Sequence, residues 1–164
     1  MRRDPVTREV LSLIAGMSTR FHGEYDDAAA AQDLTGVQAR LLAIVADRPV
    51  PMNQIASLLK CEPSNITGLV DRLAARGLVT REPSPTDRRV KLITVTREGA
   101  ELSAKVWSAL DFAAEPLAAL STQERVTLRD LLRRISADDP STLDAAAKLG
   151  AAAGQVERVD SGTG

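Results

Sequence analysis

The side chains with the most evident chemistry lie between residues 64 and 91. Ser64, Asn65 and Thr67 carry short polar groups, and Gly68 leaves room beside them. Such groups form hydrogen bonds at close range with base edges and phosphate oxygens. Side chains with a positive charge follow at Arg72, Arg76, Arg88, Arg89 and Lys91. Because cationic side chains neutralise phosphate, the combination favours nucleic acid as a partner.

Positive charge is concentrated in one part of the chain. The formal net charge is only -1, which by itself indicates no nucleic-acid partner. Residues 60–97, however, contain eight lysine or arginine residues and four acidic ones, and the rest of the chain is acidic. A short basic run is also typical of a solvated surface, so charge alone does not identify the partner.

Catalysis and metal binding are disfavoured by a shortage of suitable side chains. His22 is the only histidine and Cys61 the only cysteine. They lie far apart in sequence, which leaves no evident nucleophile and base, and too few soft ligands for zinc. Cys61 lies beside Leu58 and Leu59, where a small buried apolar residue is a better interpretation than a redox switch. We expect no enzyme, no cofactor and no metal.

Composition predicts one mainly helical domain. The chain has 164 residues, and aromatic residues make up 2% of them, so the core must consist of Leu, Val, Ile and Ala. The N-terminus shows no apolar signal region, and no apolar run approaches the length that spans a membrane. We therefore expect a cytoplasmic protein without a membrane partner.

Apolar spacing and helix signals predict six helices. Helix one carries a stripe from Val6 to Phe21 and ends at an undetermined point in the acidic segment 24–32; helix two begins after Thr35 and stops before Pro49. Helix five starts after Thr96 and runs towards Pro116. Helix six begins with a capping box at residues 121–124. Residues 137–164 are predicted to form a flexible tail.

A helix-turn-helix followed by a hairpin is predicted between the second and fifth helices. Ile55, Ala56, Leu58 and Leu59 mark a short third helix. Pro63 suits the first turn of the fourth helix, which ends at Gly77. Residues 78–81 and 90–96 are rich in β-branched side chains and read as two strands joined by a charged tip. In this geometry the second helix of the pair enters the major groove of DNA, and the tip reaches along the backbone.

These segments resemble the MarR family of winged helix-turn-helix regulators. The resemblance rests on residues 58–79, on the wing motif at 87–89 that closes on Val95 and Thr96, on 34–35 with Gln38, and on 96–99. It extends from about Val6 to Ile135, and it implies one domain at 1–136 with a DNA-binding lobe at 36–97 and dimerisation helices at 5–33 and 98–136. Met52 and Glu62 depart from the family, since both stand where helix caps are expected.

The resemblance also implies roles for individual residues. Arg89 would face the minor groove, braced by an ion pair with Asp87, and the terminal helices would join two copies into a homodimer. An aromatic or phenolic effector would occupy a cleft lined by Phe21, His22, Tyr25 and Trp107, with a contribution from Phe112. The full set of expected DNA contacts is Ser64, Asn65, Thr67, Gly68, Arg72, Arg76, Asp87, Arg88, Arg89 and Lys91.

Other interpretations stay open at this point. The apolar stripes of the terminal helices are equally compatible with a monomer core, and the charges of the hairpin tip with a solvated turn. The expected function is a transcriptional regulator, by default a repressor, that covers a palindromic operator and is released by a small molecule. The alternative is a winged-helix module that binds a protein partner, because the fold does not fix the partner.

Overall fold

The computed structural model describes residues 4–110 and 115–136. The expected tail at 137–164 and Phe112, an expected contributor to the cleft, lie outside these residues. Over the described residues the chain forms seven helices and three strands: α1 Pro5–Ala30, α2 Gly36–Val45, β1 Val50–Pro51, α3 Met52–Leu59, α4 Pro63–Ala75, β2 Val79–Pro83, β3 Lys91–Val95, α5 Arg97–Ser108, α6 Glu115–Ala118 and α7 Thr122–Ser136.

The first helix is longer than its apolar stripe. Asp4 caps α1 by accepting a hydrogen bond from the backbone N–H of Thr7 at 3.3 Å, and Pro5 occupies the first turn. The helix continues through the acidic, alanine-rich segment to Ala30, and Ala28 and Ala29 in its last turn are buried against the core. Tertiary packing thus determines the end that local sequence signals left open.

The core is built around α2. Seven of its ten residues are buried, and the helix contacts α1, α3 and α5. Thr35 and Gln38 form a reciprocal capping box, in which the Gln38 side chain accepts from the backbone N–H of Thr35 at 2.8 Å. Ile55, Val70 and Leu73 complete the apolar interior from the neighbouring helices. The prediction of a central buried helix is confirmed.

The turn between α3 and α4 is fixed by backbone geometry. Lys60 has a φ of 51° in the left-handed region, and the N–H of Cys61 donates to the carbonyl of Ala56 at 3.0 Å. Pro51, rather than Met52, stands at the cap position of α3, and neither Pro51 nor Glu62 forms a side-chain cap. The placement of Met52 at the cap was therefore wrong by one residue.

The hairpin belongs to a three-stranded antiparallel sheet with the order β1-β3-β2. In the pairing of β2 with β3, Val79 lies opposite Val95 and Arg81 opposite Ile93. β1 was not predicted, because two residues that include a proline show no periodicity. The strands also begin one residue later than the sequence indicated, at Val79 and Lys91.

Thr96 joins the hairpin to α5. Its hydroxyl donates to the carbonyl of Gly77 at 2.7 Å and accepts from the N–H of Gly99 at 3.1 Å. Its backbone N–H donates to the carbonyl of Leu78 at 3.1 Å. The predicted cap is therefore present. The helix ends at Ser108, well before Pro116, in a tightened turn where Leu110 bonds back to Trp107.

The last helix begins with the predicted capping box. Ser121 and Glu124 bond to each other through backbone and side chain at 2.7–3.3 Å. The hydrogen bonds from Ser121 lower the pKa of the Glu124 carboxyl, so the carboxylate form that caps the helix is favoured. Within the described part of α7 no residue is buried.

Two long apolar stripes remain exposed in the single chain. On α1 they comprise Val6, Val10, Leu13, Ile14 and Met17, and on α7 they comprise Leu131, Leu132 and Ile135, with 41% to 65% of each residue accessible. The interpretation of these stripes as parts of a monomer core is therefore wrong. None of the helices in residues 4–110 and 115–136 is long and apolar enough to cross a membrane.

Candidate nucleic-acid interface

The outward face of α4 carries the polar residues that the sequence singled out. Ser64, Asn65 and Thr67 are exposed, whereas the opposite face packs into the core through Ile66, Leu69, Val70 and Leu73. The hydroxyl of Thr67 donates to the carbonyl of Pro63 at 3.3 Å, so it is already held by its own helix. Because one face of α4 is buried, the other face points to solvent. The short side chains of Ser64 and Asn65 on that face are free to contact a ligand.

Gly68 leaves open space in the middle of this face. A Cβ atom placed on it would meet no other atom within 4 Å, so the fold does not require a glycine there. A glycine inside a helix costs about 1 kcal/mol relative to alanine. The residue therefore makes sense as a place where another molecule approaches the helix backbone closely.

A groove of about 490 Å³ runs beside α4. It brings together four of the expected contact residues, Ser64, Asn65, Gly68 and Arg72. The remaining residues that line it are Val37, Cys61, Ile66 and Leu69. Cys61 is only half-buried, and its thiol donates to the carbonyl of Leu59 at 3.3 Å. The interpretation of Cys61 as a buried apolar residue holds in part, because the residue packs against the core but is partly exposed at the edge of the groove.

The wing tip is closed by backbone hydrogen bonds. The N–H of Ser84 donates to Val90 and the N–H of Val90 donates to Asp87, both at 2.9 Å. Arg88 and Arg89 are exposed beyond this closure, and Lys91 is exposed where β3 begins. The tip therefore presents two cationic side chains on a short, braced loop, and Lys91 adds a third at the start of β3.

Asp87 braces the wing differently from the expected ion pair. Its carboxylate accepts a hydrogen bond from the backbone N–H of Arg89 at 2.9 Å. No ion pair between the two side chains occurs in the part of the chain that the structure describes. An aspartate two residues before an N–H forms this local turn readily. The guanidinium of Arg89 therefore extends into solvent without a carboxylate partner.

Arg76 does not join the other expected contacts. It stands at the C-terminal cap of α4, at the opposite end of the helix from Ser64. Its guanidinium donates to the backbone carbonyl of Asp33 at 2.5 Å, and Asp33 has a φ of 55°. The side chain thus bonds to the turn between α1 and α2 while it remains exposed, and a phosphate contact at Arg76 stays a prediction.

Arg81 and Asp71 were not singled out in the sequence. Arg81 Nη2 lies 2.7 Å from a carboxylate oxygen of Asp71 and 3.1 Å from the backbone oxygen of Thr67. The basic run from 60 to 97 includes Arg81, but no local pattern marks a side chain that bonds to a neighbouring element. This contact depends on how β2 packs against α4.

The four expected cleft residues form a cluster of rings between α1 and α5, in which the His22 ring lies 5.8 Å from the Phe21 ring, edge to face. The ring centroids of Phe21 and Tyr25 lie 5.9 Å apart, those of Tyr25 and Trp107 also 5.9 Å, and those of Phe21 and Trp107 6.5 Å. His22 is exposed, and its Nδ1 lies 2.7 Å from the carbonyl oxygen of Ser18. The histidine is therefore bonded to its own helix at the margin of the cluster.

The aromatic cluster contains buried polar atoms that lack a hydrogen-bond partner within the described residues. They are the Tyr25 hydroxyl and Trp107 Nε1. Ser103 Oγ and Glu24 Oε2, on the same two helices, are also buried without a partner in the described residues. Burial raises the pKa of the Tyr25 hydroxyl strongly, although the nearby charge of Arg40 opposes the shift. The phenol therefore stays neutral and can donate a hydrogen bond. Sequence patterns did not indicate Ser103, because a serine inside a helix gives no distinctive signal.

No group of three or more His, Cys, Asp or Glu side chains positioned for a metal ion occurs in the described residues. The polar chemistry of this part of the molecule thus lies on the outer face of α4, in the wing and in the aromatic cluster. These regions offer hydrogen bonds and positive charge for binding.

Comparisons with known proteins agree with this arrangement. The sequence profile of the MarR family matches residues 32–90. The transcriptional repressor NicR of Pseudomonas putida is 29% identical over 136 residues, which cover 82% of this chain and 86% of the relative. The transcriptional regulator HosA of Escherichia coli is 33% identical over 107 residues, 63% of this chain and 78% of the relative.

A solved structure shows the same fold. It is that of CouR from Rhodococcus jostii bound to p-coumaroyl-CoA, with a TM-score of 0.64 and 30% identity, and the match covers 80% of this chain and 90% of that one. The chain spans 63% of the length of the first curated relative that it matches. The family profile includes the α3–α4 pair and β2.

Proposed function

This chain belongs to the MarR family of transcriptional regulators, which are not enzymes, and we propose that it reads duplex DNA as a homodimer. In this proposal α4 enters the major groove and the wing reaches the adjacent minor groove. A regulator of this kind acts at the chromosome, so we propose a cytoplasmic location.

The observation that carries the proposal is the exposed polar face of α4 beside a braced cationic wing. Ser64, Asn65 and Gly68 offer short groups for base edges, and Arg72 lines the same groove. A narrow minor groove concentrates negative potential, which attracts a planar guanidinium such as that of Arg89. Asp87 bonds to the backbone N–H of Arg89 and so constrains the loop, while the Arg89 guanidinium stays available.

Exposure of the two apolar stripes supports the dimer. Contiguous apolar surface of this extent is typical of a protein–protein contact. A dimer with twofold symmetry would present two copies of α4 to half-sites separated by about 34–36 Å, one turn of DNA. A palindromic operator follows from that symmetry.

The aromatic cluster supports release of DNA by a small molecule. Buried polar atoms without partners favour a bound molecule that supplies them, and the rings favour an aromatic or phenolic one. NicR is named a repressor, and CouR was solved with p-coumaroyl-CoA. We propose repression by operator coverage, relieved when an effector favours a dimer whose two copies of α4 no longer match the half-sites.

The test is a fluorescence-anisotropy titration at physiological salt. The duplexes are the intergenic DNA upstream of the chain's own gene and a scrambled version. We expect tight, selective binding that is lost when Arg88 and Arg89 are both replaced by alanine. Replacement of Arg129 and Arg133 by alanine on α7 removes the same charge elsewhere and is the matched control.

Equal, weak binding of both duplexes would instead favour a winged-helix module for a protein partner. The charge on the wing argues against that second candidate, since protein interfaces are depleted of charged residues at their centre. A loss equal on both duplexes in the Arg89→Ala variant alone would reject groove reading by that residue.

A further inference from the structure

Arg81 is a cationic side chain that the proposed interface leaves without a role. It lies in β2, the strand that leads into the wing, yet its side chain bonds to α4. The guanidinium reaches the carboxylate of Asp71 at 2.7 Å and the carbonyl of Thr67 at 3.1 Å. Thr67 and Asp71 are four residues apart, so one group bonds to two successive turns of the same helix.

Asp71 lies on the outward face of α4. Ser64, Gly68 and Asp71 follow one another at intervals of four and three residues, and therefore share one side of the helix. The Asp71 side chain is 59% exposed. An unpaired carboxylate there would stand close to DNA phosphates, and like charges across an interface are strongly unfavourable. The positive charge of Arg81 compensates that carboxylate.

We propose that Arg81 is a positioning residue for DNA reading. It neutralises Asp71 and fixes α4 relative to β2, so that the reading helix and the wing meet DNA in one arrangement. A planar guanidinium suits this role, because its donors point in fixed directions and can serve a carboxylate and a carbonyl together. The inference rests on the proposed DNA-binding function.

The two effects of Arg81 predict different binding results. Loss of charge compensation weakens binding to every sequence, because phosphates are the same everywhere. Loss of the fixed helix orientation weakens binding to the operator more than to other DNA, because base contacts need correct placement. The ratio of operator affinity to affinity for other DNA therefore distinguishes a positioning role from a purely electrostatic one. A measurement of stability alone would not distinguish them.

The test uses the full chain, a duplex that it selects from a random library, and a scrambled duplex. Arg81→Gln should weaken binding to the selected duplex about tenfold or more and lower the affinity ratio. Asp71→Asn frees the arginine and should strengthen binding to the scrambled duplex. The double variant Asp71→Asn with Arg81→Gln should recover wild-type affinity for the scrambled duplex but keep the low ratio.

Two further variants complete the design. Arg81→Lys keeps the positive charge but lacks the planar guanidinium. It should restore affinity for the scrambled duplex, but only part of the ratio between the affinities for the selected and the scrambled duplex. Arg129→Gln is the matched control, because it removes an exposed ion pair with Asp130 at 2.9 Å on α7, outside the positively charged segment 60–97. It should change neither affinity. Circular dichroism of each variant reports whether it is folded.

Several outcomes would overturn the inference. A wild-type affinity ratio in a folded Arg81→Gln variant would show that orientation does not depend on this residue. A double variant as weak as Arg81→Gln on both duplexes would show that Arg81 itself contacts phosphate. If the wild-type chain selects no duplex over the scrambled one, the DNA-binding proposal fails, and the inference fails with it.

Discussion

At the scale of single residues, Gly68 is a position where binding, and not the fold, explains the residue type. The helix would be more stable with alanine at this position, and nothing in the described residues would touch the added methyl group. A residue without a side chain at this position leaves space for another molecule to approach the helix backbone. This is a feature that periodicity and charge do not reveal.

We expect Gly68→Ala to change stability and binding in opposite directions. The free energy of unfolding should rise by about 0.5–1 kcal/mol, because alanine is the better helix former. Affinity for the operator should fall, because the methyl group blocks close approach of DNA. Denaturant unfolding and anisotropy measure the two quantities.

Gly23→Ala is the control for this experiment. Gly23 lies inside α1, and its added Cβ would also meet nothing within 4 Å. The variant should gain stability without losing DNA affinity. Unchanged operator affinity in Gly68→Ala would show that no part of the DNA comes close to this position.

The Tyr25 hydroxyl is the second residue with an unusual environment. The residue is only 1% exposed and its hydroxyl has no partner in the described residues. We expect Tyr25→Phe to raise the free energy of unfolding by about 1 kcal/mol, because a buried unsatisfied group is removed. Thermal unfolding in the absence of ligand measures this.

The same variant tests the effector proposal. Saturation-transfer NMR with phenol and with p-coumaroyl-CoA as probes should give a signal for the wild-type chain, weakened by Tyr25→Phe. A Tyr25→Phe variant less stable than the wild type would mean that the hydroxyl has a partner in the free protein. Absence of a signal from both probes in the wild-type chain would count against an aromatic effector.

At the scale of elements, sequence patterns predicted the features that depend only on residues close together in the chain. The stripes, caps and turn residues of α2, α4 and α7 lie within the elements themselves, so spacing was sufficient to predict them. The two-residue β1 and the end of α1 depend on packing against other elements. For the same reason the partner of Arg76, a carbonyl 43 residues away, was beyond prediction.

Thr96 is the residue on which three elements depend. Its hydroxyl bonds to Gly77 after α4 and to Gly99 in α5, and it follows directly on β3. We expect Thr96→Val to lower the free energy of unfolding by about 1–2 kcal/mol, because the cap is lost with little change of volume. Denaturant unfolding measures the loss.

Thr96→Ser is the informative companion, since it retains the hydroxyl that forms both bonds. It should keep most of the stability. If Val and Ser variants were equally destabilised, the methyl group rather than the cap would be the source of the stability.

At the scale of the whole molecule, the exposed stripes on α1 and α7 need a partner. We expect Leu131→Glu to shift the chain from dimer towards monomer, because a charge buried in an apolar contact is costly. Sedimentation velocity at several concentrations measures the shift. Arg133→Glu places the same side chain on the polar side of α7 and should leave the dimer intact.

A dimer that resists Leu131→Glu as well as Arg133→Glu would place the contact elsewhere on the molecule. A wild-type chain that sediments as a monomer at all concentrations would contradict the dimer outright. In either case the half-site geometry would have to be revised, because it follows from the twofold relation between two copies of α4.

The most direct test of a dimer that reads DNA with α4 and the wing is a hydroxyl-radical footprint on the selected duplex. We predict two protected segments whose centres lie about one helical turn apart, roughly 34–36 Å. At a protein concentration that protects the duplex fully, replacement of Arg88 and Arg89 by alanine should remove both protected segments, because this variant no longer binds selectively. A single protected segment, or uniform weak protection along the duplex, would contradict the account.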